Sequence, residues 1–389
     1  MRAIKTVQQP FLPTPEVLGM LELFRQMLND CIRIGLAENS TSLKSLSINA
    51  YSQLADYQVP SYYKLCAISG ATGILRNYRK AKRKGRQVNE PYARRLQLTT
   101  CYGFKVIDGC LLVPFKPKQP IHIPLNRHTH EVLSEPNITI RSFTLTEKTL
   151  SIAFAKTVEA ITPLGFVGID RNLDNVTTAD STGLIEQHNL SRATEIKAVY
   201  RHVKSHMIRN DRRLRKSVFQ KYGVKQHNRV QQILHHASKQ IVLNAKRNQF
   251  GIVMEKLTGI RKLYRKGNGQ GRDYRGMMNS WSYAELQRQI EYKARWEGLP
   301  VIHVNPSGTS VKCSVCGSRM KPEENRQLKC QTCGLTVDRD VNAARNILAR
   351  ALRFRAVGFA EEAMVQEPAQ HQAVILRVDA NQSTRRPPT

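Results

Sequence analysis

Apolar positions near the start of the chain recur at helical steps. Leu18, Leu21, Leu23, Met27 and Cys31 place one greasy face on a segment that begins at Glu16. A second helix is predicted from Tyr62 through LCAISGATGILRNYRKAKRKGR, so the helical texture runs to about residue 86. Ahead of it, residues 1–13 read as a short strand entering a turn at Pro10 and Pro13. From about Gln97 to Thr157 the period shortens to that of strands, in GFKVIDGCLLVPF, HIPL and NITIRSFTLTEKTLSIAFAKTV, with a hairpin at LTEKTLSIAF. The pattern predicts a small β domain assembled from both sides of a helical insertion.

After a linker, ITP at 161–163, the pattern becomes α/β. LGFVGID is an apolar run of strand length, and NVTTAD and LIEQHN are the next two strands, joined by a turn at 181–183. Two helical segments follow. The first, at about 192–218, carries Ile196, Val199, Val203 and Met207 on one face, and Arg209, Arg212, Arg213, Arg215 and Lys216 load its end. The second, at about 226–248, carries Val230, Ile233, Leu234, Ala237, Ile241 and Ala245. GIVMEKL is a buried strand. KLYRKGNGQGRDYRGMMNS, rich in Gly and Arg, is expected to be a mobile loop. A helix with Tyr283, Leu286, Ile290 and Ala294 inward, the strand LPVIHVN and a last helix, DVNAARNILARAL, complete the pattern. From about Arg355 the periodicity fades, and the final residues are expected to be disordered. No internal repeat is visible.

Charge changes this picture most. The 389 residues carry 61 Lys plus Arg against 30 Asp plus Glu, a formal charge of +31. With 41% hydrophobic residues the chain is no disordered polycation. A surface that basic calls for a polyanionic partner, nucleic acid before anionic membrane. The block at 76–86 is a candidate phosphate contact. No run of about 18 apolar residues exists to span a bilayer, and the first residues lack an apolar signal core. Cys31, Cys66, Cys101 and Cys110 are scattered in apolar or mixed contexts and read as reduced core residues. That usage suits a reducing cytoplasm.

The other four cysteines form Cys313-x2-Cys316-x13-Cys330-x2-Cys333, with Gly317 and Gly334 after each pair. Two such knuckles can set four thiolates tetrahedrally around one zinc ion, a closed and therefore structural site. Acidic residues supply a second constellation. Asp170 ends one buried strand, Glu255 ends another, and Asp340 opens the last helix. Carboxylates there are costly unless paired or metal-bound, and three of them suit hard Mg²⁺ or Mn²⁺ ions. Such ions would stabilise the attacking and leaving oxygens of phosphodiester hydrolysis. Asp338 competes with Asp340 for the third place; Asp340 is preferred because Asn342, Ala343 and Ala344 start the helix directly after it.

The order strand-Asp, helices, strand-Glu, helix, strand, cysteine ribbon, Asp-helix resembles the TnpB (OrfB) family of transposon-encoded, RNA-guided DNA nucleases, relatives of the compact type V CRISPR effectors. GIDRNLDNVTTAD, GIVMEKLTGI, WSYAELQRQIEYKARWEGLPVIHVNPSGTSVKCSVCGSRM and LKCQTCGLTVDRDVNAARNI carry the likeness, and the family's Pro-x-x-Thr-Ser-x-x-Cys-Ser-x-Cys-Gly runs unbroken over 306–317. It covers about 163–350. It implies a RuvC-like RNase H fold over 163–310 and 336–352, interrupted by a zinc ribbon at 311–335 that contacts target nucleic acid. It also implies a β-barrel-like wedge domain at 1–13 and 88–160 carrying a helical recognition insertion at 14–87, with a tail at 353–389. The metal-binding acids then fall on Asp170, Glu255 and Asp340. The implied partners are a guide RNA derived from the transposon end and a double- or single-stranded DNA target, with the protein a monomer on its RNA. Relatives that lost the acids act as guided repressors; this chain keeps all three. A guided binder that does not cut, a CRISPR-associated effector of the same ancestry and a strand-joining transposase stand as alternatives, although no helix-turn-helix for transposon ends is evident. The basic segment 261–280 would be a lid near the cleft.

Overall fold

In the computed structural model, residues 2–116, 119–206, 212–265 and 267–356 are described, and the chain divides into two units at residue 158.

The first unit starts with β1 (Arg2–Pro10) and continues into α1 (Pro15–Ala37), α2 (Leu43–Ala50) and α3 (Ser61–Arg83). Local chemistry sets the helix starts. The Thr14 hydroxyl accepts the Val17 N–H with Pro15 in the first turn, and Ser42 likewise accepts the Ser45 N–H. α1 buries Val17, Leu21, Phe24 and Leu28, and α3 buries Tyr63, Ala67, Ala71 and Leu75. Part of the basic block is structural. Arg76 donates to the Thr41 carbonyl and Arg79 to Asn39 and Thr41, so both hold the α1–α2 connection. Lys80, Arg83, Lys84 and Arg86 are exposed.

Strands β2 (Gln97–Thr100), β3 (Lys105–Ile107), β4 (Cys110–Lys116), β5 (Gln119–Pro124), β6 (Ile138–Thr146) and β7 (Thr149–Thr157) complete this unit, with α4 (Arg127–Leu133) between β5 and β6. They form two antiparallel sheets, β1-β7-β6-β2 and β3-β4-β5. Helix α4 breaks the strand pattern read from the sequence; the Asn126 side chain starts it by accepting the Thr129 N–H at 2.8 Å. Of the scattered cysteines only Cys31 is a core residue. Cys66 and Cys110 are partly exposed and Cys101 is exposed.

The second unit contains β8 (Gly165–Arg171), β9 (Asn175–Asp180), β10 (Ile185–Asn189), α5 (Ser191–His206), α6 (Arg212–Arg247), β11 (Phe250–Glu255), α7 (Arg272–Ser280), α8 (Tyr283–Trp296) and β12 (Val301–Val304). Then come β13 (Met320–Pro322), β14 (Gln327–Cys330), β15 (Thr336–Asp338) and α9 (Arg339–Ala356). The main sheet has the order β10-β9-β8-β11-β12. Its first three strands in sequence pair antiparallel, and β11 and β12 join parallel to β8. This is the arrangement of an RNase H-type sheet.

Both faces are covered, which is why β8 and β11 are apolar almost throughout. Side chains alternate between the faces. Val167, Ile169, Ile252 and Met254 pack with residues of α5, α6 and α8. Phe166, Val253 and Val304 pack with Ile347, Leu348 and Ala351 of α9. Gly168 lies between Phe166 and Asp170 on the α9 side. A Cβ there would sit 2.6 Å from the Leu348 backbone nitrogen and closer still to the Ala344 carbonyl, so only glycine lets helix and strand approach this far.

The helical pair differs from the sequence reading. α6 begins at Arg212, well before residue 226, and α5 is described only to His206. Met207 and Arg209 lie outside the described residues. The Gly- and Arg-rich segment is only half a loop. Gly267 and Gly269 take positive φ in the turn, after which α7 forms with Asp273 in its first turn. The expected tail disorder concerns 357–389, outside the described residues. No helix among the described residues is long and apolar enough to cross a membrane.

Candidate metal centres

The four clustered cysteines sit on a three-stranded antiparallel ribbon, β13-β14-β15. Each Cys-x-x-Cys turns back in the same way. Gly317 N–H donates to the Cys313 carbonyl at 2.9 Å and Gly334 N–H to the Cys330 carbonyl at 3.1 Å, both glycines at positive φ, 77° and 75°. All four sulfur atoms lie within 4.8 Å of one another. Cys313 and Cys330 are buried beside Met320 and Leu328; Cys316 and Cys333 are exposed. Hydrogen bonds from Ser318 pull the Cys316 thiol down to about 6. Cys333 goes up to about 12: the Leu335 backbone contact lowers it, but its hydrogen bonds with the other three thiols and desolvation outweigh that. Four thiols this close cannot all ionise without a cation, and the set could hold one metal ion. Soft sulfur donors at closed positions fit zinc.

The three acids lie on the opposite kind of scaffold, a rigid sheet. β8 and β11 run parallel, and their pairing ends with Met254 opposite Ile169, one residue before Glu255 and Asp170. Alternation puts both carboxyls on the α9 face, and Asp340 enters from the first turn of that helix. They are 7%, 9% and 3% exposed for Asp170, Glu255 and Asp340, so each has lost most of its hydration. Burial pushes the Asp170 carboxyl up to about 7; the Asn172 amide lowers it, and the charges of Glu255 and Asp340 raise it further. The acids therefore share one field. They do not share a closed shell: among the described residues, the four thiols are the one group of three or more ligand atoms within 4.8 Å.

Asp170 and Glu255 are each held at one carboxyl oxygen, and Asp340 at both. Asn172 Nδ2 donates to Asp170 Oδ2 at 2.8 Å. The Thr309 hydroxyl donates to Glu255 Oε1 at 2.5 Å. Asn175 Nδ2 donates to Asp340 Oδ2 at 3.2 Å, and Arg326 from the ribbon pairs with Asp340 Oδ1 at 2.5 Å. The chemistry suits hard cations: three buried carboxyls, oxygen donors throughout, and excess negative charge that two Asn amides and one guanidinium only partly offset. Asp338 has a different task. Its Oδ1 accepts the N–H groups of Asp340 and Val341, which makes it the helix cap.

Other polar groups support the site and were not visible as functional from sequence. Arg171, on the reverse face of β8, donates to the Glu255 carbonyl at 2.5 Å and to Gln287 Oε1 at 2.7 Å; burial pulls its pKa down to about 10. Asn342 bridges the Lys312 carbonyl (2.8 Å) and the Ser314 N–H (3.0 Å). Asn346, one helical turn on, donates to the carbonyls of Thr309 (2.8 Å) and Lys312 (2.7 Å). The chain entering the ribbon is thereby fastened to the helix that carries Asp340. The i, i+4 spacing of Asn342 and Asn346 in NAARN was the available signal. Thr309, Asn172, Asn175 and Arg326 gave none without partners in space.

Residues 283–347 match a family model described as Cas12f1-like, TNB domain. A TnpB-like protein of Methanocaldococcus jannaschii is 39% identical over 136 residues, 35% of this chain and 48% of that protein. The CRISPR-associated endodeoxyribonuclease Cas12f1 of Sulfoacidibacillus thermotolerans is 36% identical over 116 residues, 29% of this chain and 25% of that protein. The chain thus spans about half the length of the first of these curated relatives and about a quarter of the second. Among solved structures, a Cas12f1–sgRNA–target DNA complex matches with TM-score 0.57 and 16% identity, over 85% of this chain and 81% of that one. That likeness gives the fold, a compact RuvC-containing nuclease fold. The sheet order, the thiol ribbon and these sequence matches together make the chain similar to TnpB-like proteins and to the related Cas12f1 effectors.

Proposed function

We propose that this protein is the RNA-guided DNA endonuclease of an insertion sequence, cleaving target DNA beside a short flanking motif through Asp170, Glu255 and Asp340. The observation that carries the reading is the convergence of these three buried carboxyls on one face of the sheet, in a chain of charge +31. Bound Mg²⁺ or Mn²⁺ would supply positive charge to the attacking and leaving oxygens of the phosphodiester. The chain's own contribution is to hold the carboxylates ready. Strand ends and a capped helix fix their backbones, and Asn172, Thr309 and Asn175 fix their side chains. Zinc on the four thiols has a structural part, stiffening the ribbon that α9 continues. Exposed lysines and arginines bind the phosphates of a guide RNA from the transposon end and of the DNA target, with the protein a monomer on its RNA. The relatives' names support this reading, since one is an endodeoxyribonuclease.

The test is purification with bound RNA, sequencing of that RNA, and incubation with matching DNA and Mg²⁺. Wild type cleaves the matched target, and Asp170→Asn, Glu255→Gln and Asp340→Asn bind it without cutting. Specific cutting by RNA-free protein, or full activity in all three variants, overturns the proposal.

A further inference from the structure

Two of the acids are joined by a chain of side-chain amides. Asn172 Nδ2 donates to Asp170 Oδ2 (2.8 Å) and to Asn175 Oδ1 (3.1 Å), and Asn175 Nδ2 donates to Asp340 Oδ2 (3.2 Å). The two asparagines also close the β8–β9 turn, where Asn172 N–H donates to the Asn175 carbonyl at 2.9 Å. A carboxamide is the side chain this chain of contacts needs. Asn172 donates to both of its neighbours, and Asn175 accepts from one and donates to the next, without adding a fourth negative charge. The relay continues outward. Trp281 Nε1 donates to the Asn172 carbonyl at 2.7 Å. Trp281 itself follows α7 directly, and the Lys197 amine, bound to the Ser280 carbonyl and the Ser282 hydroxyl, ties down the residues on both sides of it.

We propose that Asn172, Asn175 and Trp281 are positioning residues for the divalent ion. The amides orient Asp170 and Asp340 so that Asp170 keeps one carboxylate oxygen for the metal. The indole N–H ties that orientation to the segment holding α7, so a shift of α7 is felt at Asp170. The inference rests on the nuclease reading for the purpose of the site, but its geometry is independent of which nucleic acid is cut.

The probe is Mn²⁺ alone, titrated calorimetrically into the full-length protein, with zinc content measured in parallel as the control for folding. Wild type binds Mn²⁺ at a site that Asp170→Asn removes. Asn172→Ala and Asn175→Ala weaken that binding by about 10- to 100-fold while zinc content is unchanged. Trp281→Phe keeps the ring, loses only the N–H, and weakens binding severalfold; if either asparagine variant fails to fold, this variant decides. In a Trp296→Phe protein, Trp281 is the sole tryptophan. Its emission changes on adding Mn²⁺, and that change is lost with Asn172→Ala. Folded Asn and Trp281 variants that bind Mn²⁺ as wild type does overturn the inference and leave the nuclease reading standing. Mn²⁺ binding unaffected by Asp170→Asn overturns both.

Discussion

The Asp338 carboxylate accepts the backbone N–H of Asp340 at 2.8 Å, so one aspartate caps the helix that presents the other. The two must then fail differently when removed. Asp338→Ala costs about 1 kcal/mol of stability through the lost cap and leaves most cleavage intact. Asp340→Ala abolishes Mg²⁺-dependent cleavage with little loss of stability, because it also relieves repulsion among the acids. Thermal unfolding and a cleavage assay on the same two variants make the comparison. The opposite pattern would assign the third ligand to Asp338.

Thr309→Val tests the support of Glu255. The hydroxyl lies 2.5 Å from Glu255 Oε1 and is buried. Its removal costs roughly 1 kcal/mol of stability and raises the Mg²⁺ concentration needed for half-maximal cleavage by about tenfold. An unchanged Mg²⁺ requirement would reduce Thr309 to a packing residue.

A pH effect follows from Asp170, whose carboxyl is raised to about 7 from an ordinary 3.8. In metal-free protein the folded state keeps a proton that the unfolded chain releases. The resulting stabilisation is complete below the unfolded value and is lost as pH rises through about 7. Asp170→Asn cannot lose it. The variant should melt a few degrees above wild type at pH 8 in the absence of divalent ions, with a smaller difference at pH 5. A pH-independent difference would count against this account.

Removing one thiol separates the two metals. Cys313→Ser should lose about one zinc per chain and unfold the ribbon at lower temperature. Full zinc retention would defeat the structural reading of the four cysteines.

The basic block at 76–86 divides into two kinds of residue. Lys80, Arg83, Lys84 and Arg86 are exposed, and replacing any one should lower the salt dependence of RNA binding by about one released counterion per lost phosphate contact. Arg79→Ala should act on stability instead, because its guanidinium holds Asn39 and Thr41. Binding that stays flat between low and high salt would remove the electrostatic premise.

Much of the second unit could be read from the chain because its signals are local. GFVGID and GIVME are apolar runs of strand length whose last residue is an acid, and period two puts Asp170 and Glu255 on one face once the strands pair in parallel. The cysteine spacing names its own geometry. The first unit was readable in texture, but α4 was missed because RHTHEVL has no apolar stripe and depends on the Asn126 cap. Helix α6 starts earlier than the apolar residues it buries, since none of residues 217–225 is buried and Val230 is the first that is. The supporting side chains were opaque for another reason. Asn175 and Asp340 are 165 residues apart in sequence, and even Arg326, 14 residues before Asp340, meets it only once the ribbon has folded.

Helix α9 is the last element described, yet it covers the first strand of its unit at Gly168. That fixes an order in time. As the chain emerges from the ribosome, Phe166, Val253 and Val304 have no covering layer until Ile347, Leu348 and Ala351 arrive. Contacts of such long sequence separation form late, because the loop must close before they are rewarded. A chain stopped before Arg339 would expose an apolar sheet face, which invites aggregation, and would hold only two of the three carboxyls. The unit acquires its full set of acids in the same event that seals its core.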